Sequence, residues 1–97
     1  MSDRELLELA AKAAEVHAGF INEYGGGKTF CWNPLTDDGD ALRLAVKLGI
    51  CIVFLEDSDS VGAEHSRHGV MIIEALDDFG TRRAITRAAA EIGRAMP

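Results

Sequence analysis

The chain is short of cysteine, proline and basic residues, and each shortage narrows what it can be. Two cysteines among 97 residues cannot build the disulfide framework of a small secreted scaffold, so they read as thiols of a reducing compartment. Two prolines and no low-complexity stretch leave no linker, and residues 1–97 read as a single domain. Ten bases against 16 acids give a net charge of −6, which removes the overall basic footprint of a nucleic-acid-binding protein. No apolar run approaches the ~20 residues of a membrane-spanning helix. Met1-Ser2-Asp3-Arg4-Glu5 is too polar for a signal peptide, so a cytoplasmic protein with no membrane partner is expected. What remains is ordinary globular composition, 47% apolar and 27% charged, enough for one modest core.

Helical periodicity marks three segments. Ser2-Asp3-Arg4-Glu5 has the form of a capping box, in which Ser2 caps the first turn and Glu5 reaches back to its amide. Leu6, Leu7, Ala10, Ala13, Ala14 and His17 follow at helical spacing, Glu8 and Lys12 form an i,i+4 pair, and Gly19 is the expected stop. Thr36 is the expected cap of a second helix, with Asp37, Asp38 and Asp40 in its first turn. Its expected buried stripe is Leu42, Ala45, Val46 and Leu48, and Gly49 ends it. Thr81 is the expected cap of a last helix running close to Met96, with Ala84, Ile85, Ala88, Ala89, Ile92 and Met96 inward.

Between the helices lie β-prone runs. Residues 20–24 and 28–32 flank Gly25-Gly26-Gly27 and predict a hairpin, which Asn33-Pro34 terminates. Residues 50–55 are apolar on both faces and predict a central strand covered by helices on two sides. Residues 56–62 read as a polar loop, 69–74 as a further strand starting near His65, and 77–80 as a turn. The expected fold class is α+β: a three-layer α/β/α sandwich in the order α-β-β-α-β-β-α, around a mostly antiparallel four-stranded sheet.

The acids cluster at residues 37–40, 56–59 and 77–78, and carboxylates in groups suit Mg²⁺ or Ca²⁺. Asp57-x-Asp59-x-x-Gly62 echoes the start of a calcium loop, yet Val61 and His68 stand where further ligands belong. Helix starts and turns account for the clusters without a metal. His65-x-x-His68 has no zinc-motif spacing to Cys31 or Cys51, and Cys51 reads as a small core residue. Cys31 with His17 lacks a glycine elbow and a following helix. Gly25-Gly26-Gly27-Lys28-Thr29 falls short of a phosphate loop, because Asn22 occupies the first glycine position and a strand follows. No catalytic residue, metal ligand or cofactor is assigned. Arg83, Arg87 and Arg94, at spacings of 4 and 7, form a basic stripe on one helix face. With Asp57, Asp59 and the single tryptophan, Trp32, they make up the candidate binding residues.

Trp32-Asn33-Pro34-Leu35-Thr36-Asp37-Asp38-Gly39-Asp40, continuing to Ile50, resembles the core signature of the phage ABA sandwich domain family, small proteins of bacteriophages and prophages. Residues 3–14 and 81–93 resemble the two ends of that family, so the three blocks cover roughly half the chain. The resemblance implies a layered α/β/α sandwich, a phage or prophage source and action inside the bacterial cell. It implies no catalytic residues. The expected function is therefore non-catalytic binding of a host or phage protein, with inhibition of a host defence complex as a special case. Two other readings stand beside it. One is a divalent-metal-dependent enzyme using the clustered carboxylates. The other is a self-associating module, a homodimer built through the alanine-rich last helix or an edge strand.

Overall fold

Three helices and three strands follow one another in the order α-α-β-β-β-α. The computed structural model describes residues 1–17, 21 and 32–97. Helix α1 (Asp3–Ala14) starts with the expected capping box. The Ser2 hydroxyl accepts from the Glu5 amide at 3.1 Å, and the Glu5 carboxylate accepts from the Ser2 amide at 3.3 Å. The Ser2 amide, and then its hydroxyl, favour the ionised carboxylate and hold Glu5 below its ordinary pKa. The sign follows: this cap supports α1 at neutral pH and is lost as pH falls through the lowered value. The helix stops at Glu15, whose φ of 59° is left-handed, rather than running on to Gly19. Glu8 pairs with Arg4 at 2.9 Å instead of Lys12, whose ammonium donates to the Met96 carbonyl at 3.0 Å.

Helix α2 (Asp38–Leu48) is capped by Asp37, not Thr36. The Asp37 carboxylate accepts from the Asp40 amide at 2.8 Å, while Thr36 is drawn into a turn closed on the Asn33 carbonyl. Gly49 ends the helix with φ +72°, a conformation that suits glycine. The buried stripe is Ala41, Leu44 and Ala45; of the expected one, Ala45 is buried and Leu48 packs against the core, but Leu42 and Val46 point outward, 59% and 74% exposed. Two interleaved apolar stripes compete on this helix, and the one with the small residues faces α3.

Strands β1 (Cys51–Leu55), β2 (Ser60–His65) and β3 (Val70–Ala75) form one antiparallel sheet in the order β1-β2-β3. Each hairpin turns through a short 3₁₀ segment, Glu56–Ser58 or Ser66–His68, followed by a left-handed residue, Asp59 at φ 50° or Gly69 at φ 67°. The expected four-stranded sheet and α-β-β-α-β-β-α order are therefore corrected to three strands among the described residues. Part of the expected 56–62 loop is β2, whose Gly62 and Ala63 carry weak strand propensity by themselves. The glycine-centred hairpin lies outside the described residues; Ile21 and Trp32 form an isolated parallel bridge, where a hairpin would pair antiparallel.

The three-layer arrangement is corrected as well. Helix α3 (Asp78–Arg94) packs on β2 and β3, and α1 and α2 pack on α3, so the helices gather on one side of the sheet. That face contributes Val61, Ala63, Ile52 and Ile72 to the core. The opposite face, with Cys51, Met71 and Ile73, is exposed among the described residues. Among the described residues β1 is thus an edge strand, not a central one, and Cys51 lies at the surface rather than in the core. α3 is capped by Asp77, whose carboxylate accepts from the Gly80 amide at 2.6 Å, so the expected 77–80 turn is its first turn and Thr81 lies inside it. Its expected inward residues Ala84, Ile85, Ala88, Ala89 and Ile92 are all buried.

Two glycines let α3 approach its neighbours. A Cβ on Gly93 would stand 2.0 Å from the Leu9 carbonyl oxygen of α1, and one on Gly80 would stand 1.9 Å from that of Ala75 in β3. Backbone cannot give way as a side chain does. Gly93→Ala is therefore expected to lower stability by about 1–3 kcal/mol. Gly39→Ala in α2, whose nearest atoms at 3.1 Å end the flexible Arg43 side chain, is expected to be neutral or to stabilise by up to about 1 kcal/mol. Urea denaturation of both variants checks the opposite signs.

Candidate functional site

The residues singled out in the sequence fall in three separate places. Arg83 and Arg87 lie on α3, where both turn to the chain's own acids. Arg83 donates to Asp3 at 3.1 Å and stands 3.8 Å from Glu74, and Arg87 pairs directly with Glu74 rather than with Glu91. Arg94 lies 3.5 Å from Glu91. Asp57 and Asp59 are exposed in the turn between β1 and β2, where Asp59 supplies the left-handed residue and its carbonyl accepts from Leu76 at 3.0 Å. Trp32 is half-buried against the core. The structure does not bring these groups into one site.

The acidic clusters have local work. Asp37 caps α2, Asp38 binds the Arg82 guanidinium at 2.7 Å, and Asp40 accepts from the Asn33 amide at 3.0 Å. The buried Asn33-Pro34 turn is closed by the Asn33 side chain on the Leu35 amide at 2.9 Å. The His65 and His68 rings meet edge-on with centroids 4.7 Å apart, and His65 Nδ1 is enclosed without a hydrogen-bond partner among the described residues. Among those residues no three His, Cys, Asp or Glu side chains gather as a metal site. Cys31 and the Gly25–Thr29 segment lie outside them.

A different feature stands out. A groove of about 470 Å³ opens between the start of α2, β1 and the start of α3. Its apolar lining is Ala41 and Leu42 of α2, Ile52 and Phe54 of β1, Leu76, and Ile85 of α3. Phe54 is 60% exposed, and with Leu42 it frames an apolar mouth. The rim is polar: Asp38, Asp77, Asp78, Thr81 and Arg82. Arg82 is held down by Asp38 and by the Leu35 carbonyl at 3.0 Å. Three carboxylates outweigh one guanidinium, and the two helix N-termini contribute roughly half a positive charge each, so the rim stays negative by about one charge.

The groove residues were missed in the sequence for identifiable reasons. The pattern points Leu42 to the buried face because α2 carries two apolar stripes. It points Phe54 to a central strand because alternation is absent from β1. The small Ala41 and Ala45 were the available signal that the other stripe meets a close-packed helix.

Beside the groove, both edges of the sheet are open among the described residues, but they differ. β1 is Cys-Ile-Val-Phe-Leu, without charge or proline. β3 carries Glu74, directed to the helix side and gripped by Arg83 and Arg87. An inward-pointing charge is one device by which proteins blunt a sheet edge. Glu74→Gln removes the common partner of the two arginines and is expected to cost about 1 kcal/mol, between an exposed and a buried pair. The check is a denaturation series with Glu91→Gln, more exposed and paired only within α3, as the near-neutral comparison.

No helix among the described residues is long and apolar enough to cross a membrane. The chain matches no family model, no curated protein and no solved structure.

Proposed function

We propose that this protein is a small acidic accessory protein that acts by binding another protein, without catalysis. The resemblance of residues 32–50 to the phage ABA sandwich signature supports a phage or prophage source and action in the bacterial cytoplasm, where a host complex would be the target. The observation that carries the binding reading is the groove between α2 and β1, with Leu42 and Phe54 held open to solvent by a folded frame. Large apolar side chains kept exposed around a concave site, with a polar rim, have the character of a contact surface. The acidic rim disfavours phosphate and so disfavours direct nucleic-acid binding.

The test compares tagged wild type with a Leu42→Asp/Phe54→Asp double variant in pull-downs from bacterial lysate, read by mass spectrometry. Both side chains are largely exposed, so the melting temperature should move little. The expected result is a stoichiometric protein captured by wild type and lost from the folded variant. Identical captured sets from both would contradict the reading.

A further inference from the structure

We propose that the groove takes an extended, basic and apolar segment of a partner protein, which adds as a fourth strand to the β1 edge that is open among the described residues. The inference deepens the binding reading above and rests on it.

The register of the sheet carries the first step. Ile52 pairs with Ala63, and Phe54 with Val61; both partners are buried on the helix side, so Ile52 and Phe54 share that face. A strand laid along the outer edge of β1 continues the same alternation. Every second side chain of it would then fall on the helix side, beside Ile52 and Phe54 and opposite Leu42 of α2. The groove is lined by the same Ile52, Phe54 and Leu42, so it adjoins that position. Main-chain hydrogen bonds to an edge supply affinity in this mode, and pockets for alternate side chains supply specificity.

The second step is the contrast between the two edges. β3 is blunted by the inward Glu74, whereas β1 offers five apolar residues and no protecting charge or proline. An edge of that kind is a template for pairing. The third step is charge. Asp77 and Asp78 at the mouth complement lysine or arginine in the incoming segment, and Arg82 is already committed to Asp38 and Leu35.

Charge also selects against a second copy as the occupant. Another copy carries the same net −6 and the same acidic rim. The exposed outer face of the sheet does not compensate. Three strands ~4.8 Å apart and about six residues long give a footprint of roughly 300 Å², against ~800 Å² per partner in a stable interface.

The test pans a dodecapeptide display library on the wild-type protein, with counter-selection on the Leu42→Asp/Phe54→Asp variant. Enriched peptides are expected to carry apolar side chains at every second position with Lys or Arg among them. The best is then synthesised and titrated by calorimetry, together with two versions N-methylated at alternate amides. Methylation in one phase should weaken binding at least about tenfold, and methylation in the other phase should leave it unchanged. Three results would each overturn the inference: no enrichment, apolar residues at helical spacing or acidic peptides, or indifference to methylation in both phases. Wild type running as a dimer through Leu42 and Phe54 in size-exclusion would also overturn it. A lysate partner that depends on Leu42 and Phe54 but binds through a helix would sink strand addition while leaving the binding reading intact.

Discussion

Helix α3 touches both other helices and two of the three strands, and the fold depends on how closely it can do so. It lies against β2 and β3 on one side and α1 and α2 on the other. Bulky side chains all round would hold those neighbours apart. The sequence instead supplies Ala84, Ala88, Ala89, Ala90 and Gly93, all buried, and at Gly93 the backbones of α1 and α3 meet with no room for a Cβ. Small residues bury little apolar area each, about one methyl. The compensation is proximity: larger side chains at the seams, Leu7, Leu44, Ile85, Ile92 and Val61, become fully enclosed. The polar network follows the same geometry. Arg82 reaches back to Leu35 and Asp38, and Arg83 and Arg87 reach Asp3 and Glu74, so α3's cations tie its start to α2, α1 and β3.

Gathering the helices on one side has a consequence for function. Among the described residues the sheet keeps one uncovered face and an unblunted β1 edge, and Leu42 of α2 lines the groove together with Ile52 and Phe54 of β1. Leu42 and Phe54, two of the exposed large apolar side chains, line the groove beside the edge strand. The acids that begin α2 and α3 serve the helices first, as cap residues and ion-pair partners. Because both helices start at the groove, the same acids also set its charge. One arrangement of helix termini serves both stability and the electrostatic character of the site.

Much of this was legible in the residues, and the rest failed for physical reasons. The capping box at Ser2, the stop at Gly49 and the inward face of α3 follow from local rules, because cap chemistry and helical periodicity need only neighbouring residues. The cap of α2 moved from Thr36 to Asp37 because Asn33 draws Thr36 into its own turn. β2 was hidden because Gly62 and Ala63 form a strand only by pairing on both sides. The position of β1 is not legible, because an all-apolar strand reads the same whether it is covered on two faces or on one. The arginine stripe was visible, but its partners Asp3 and Glu74 are distant in sequence. The groove, made from three elements brought together by α3, has no local signature.

Native-state hydrogen exchange of the free protein, followed amide by amide by NMR, reads the one-sided sheet and its open edge. Amides of α3 and β2 are expected to exchange most slowly, through global unfolding. The outward amides of β1 should exchange far faster, because no strand among the described residues covers them. If every β1 amide were protected as strongly as those of β2, the edge would be closed in the free protein, and the account of a one-sided sheet with an open binding edge would be wrong.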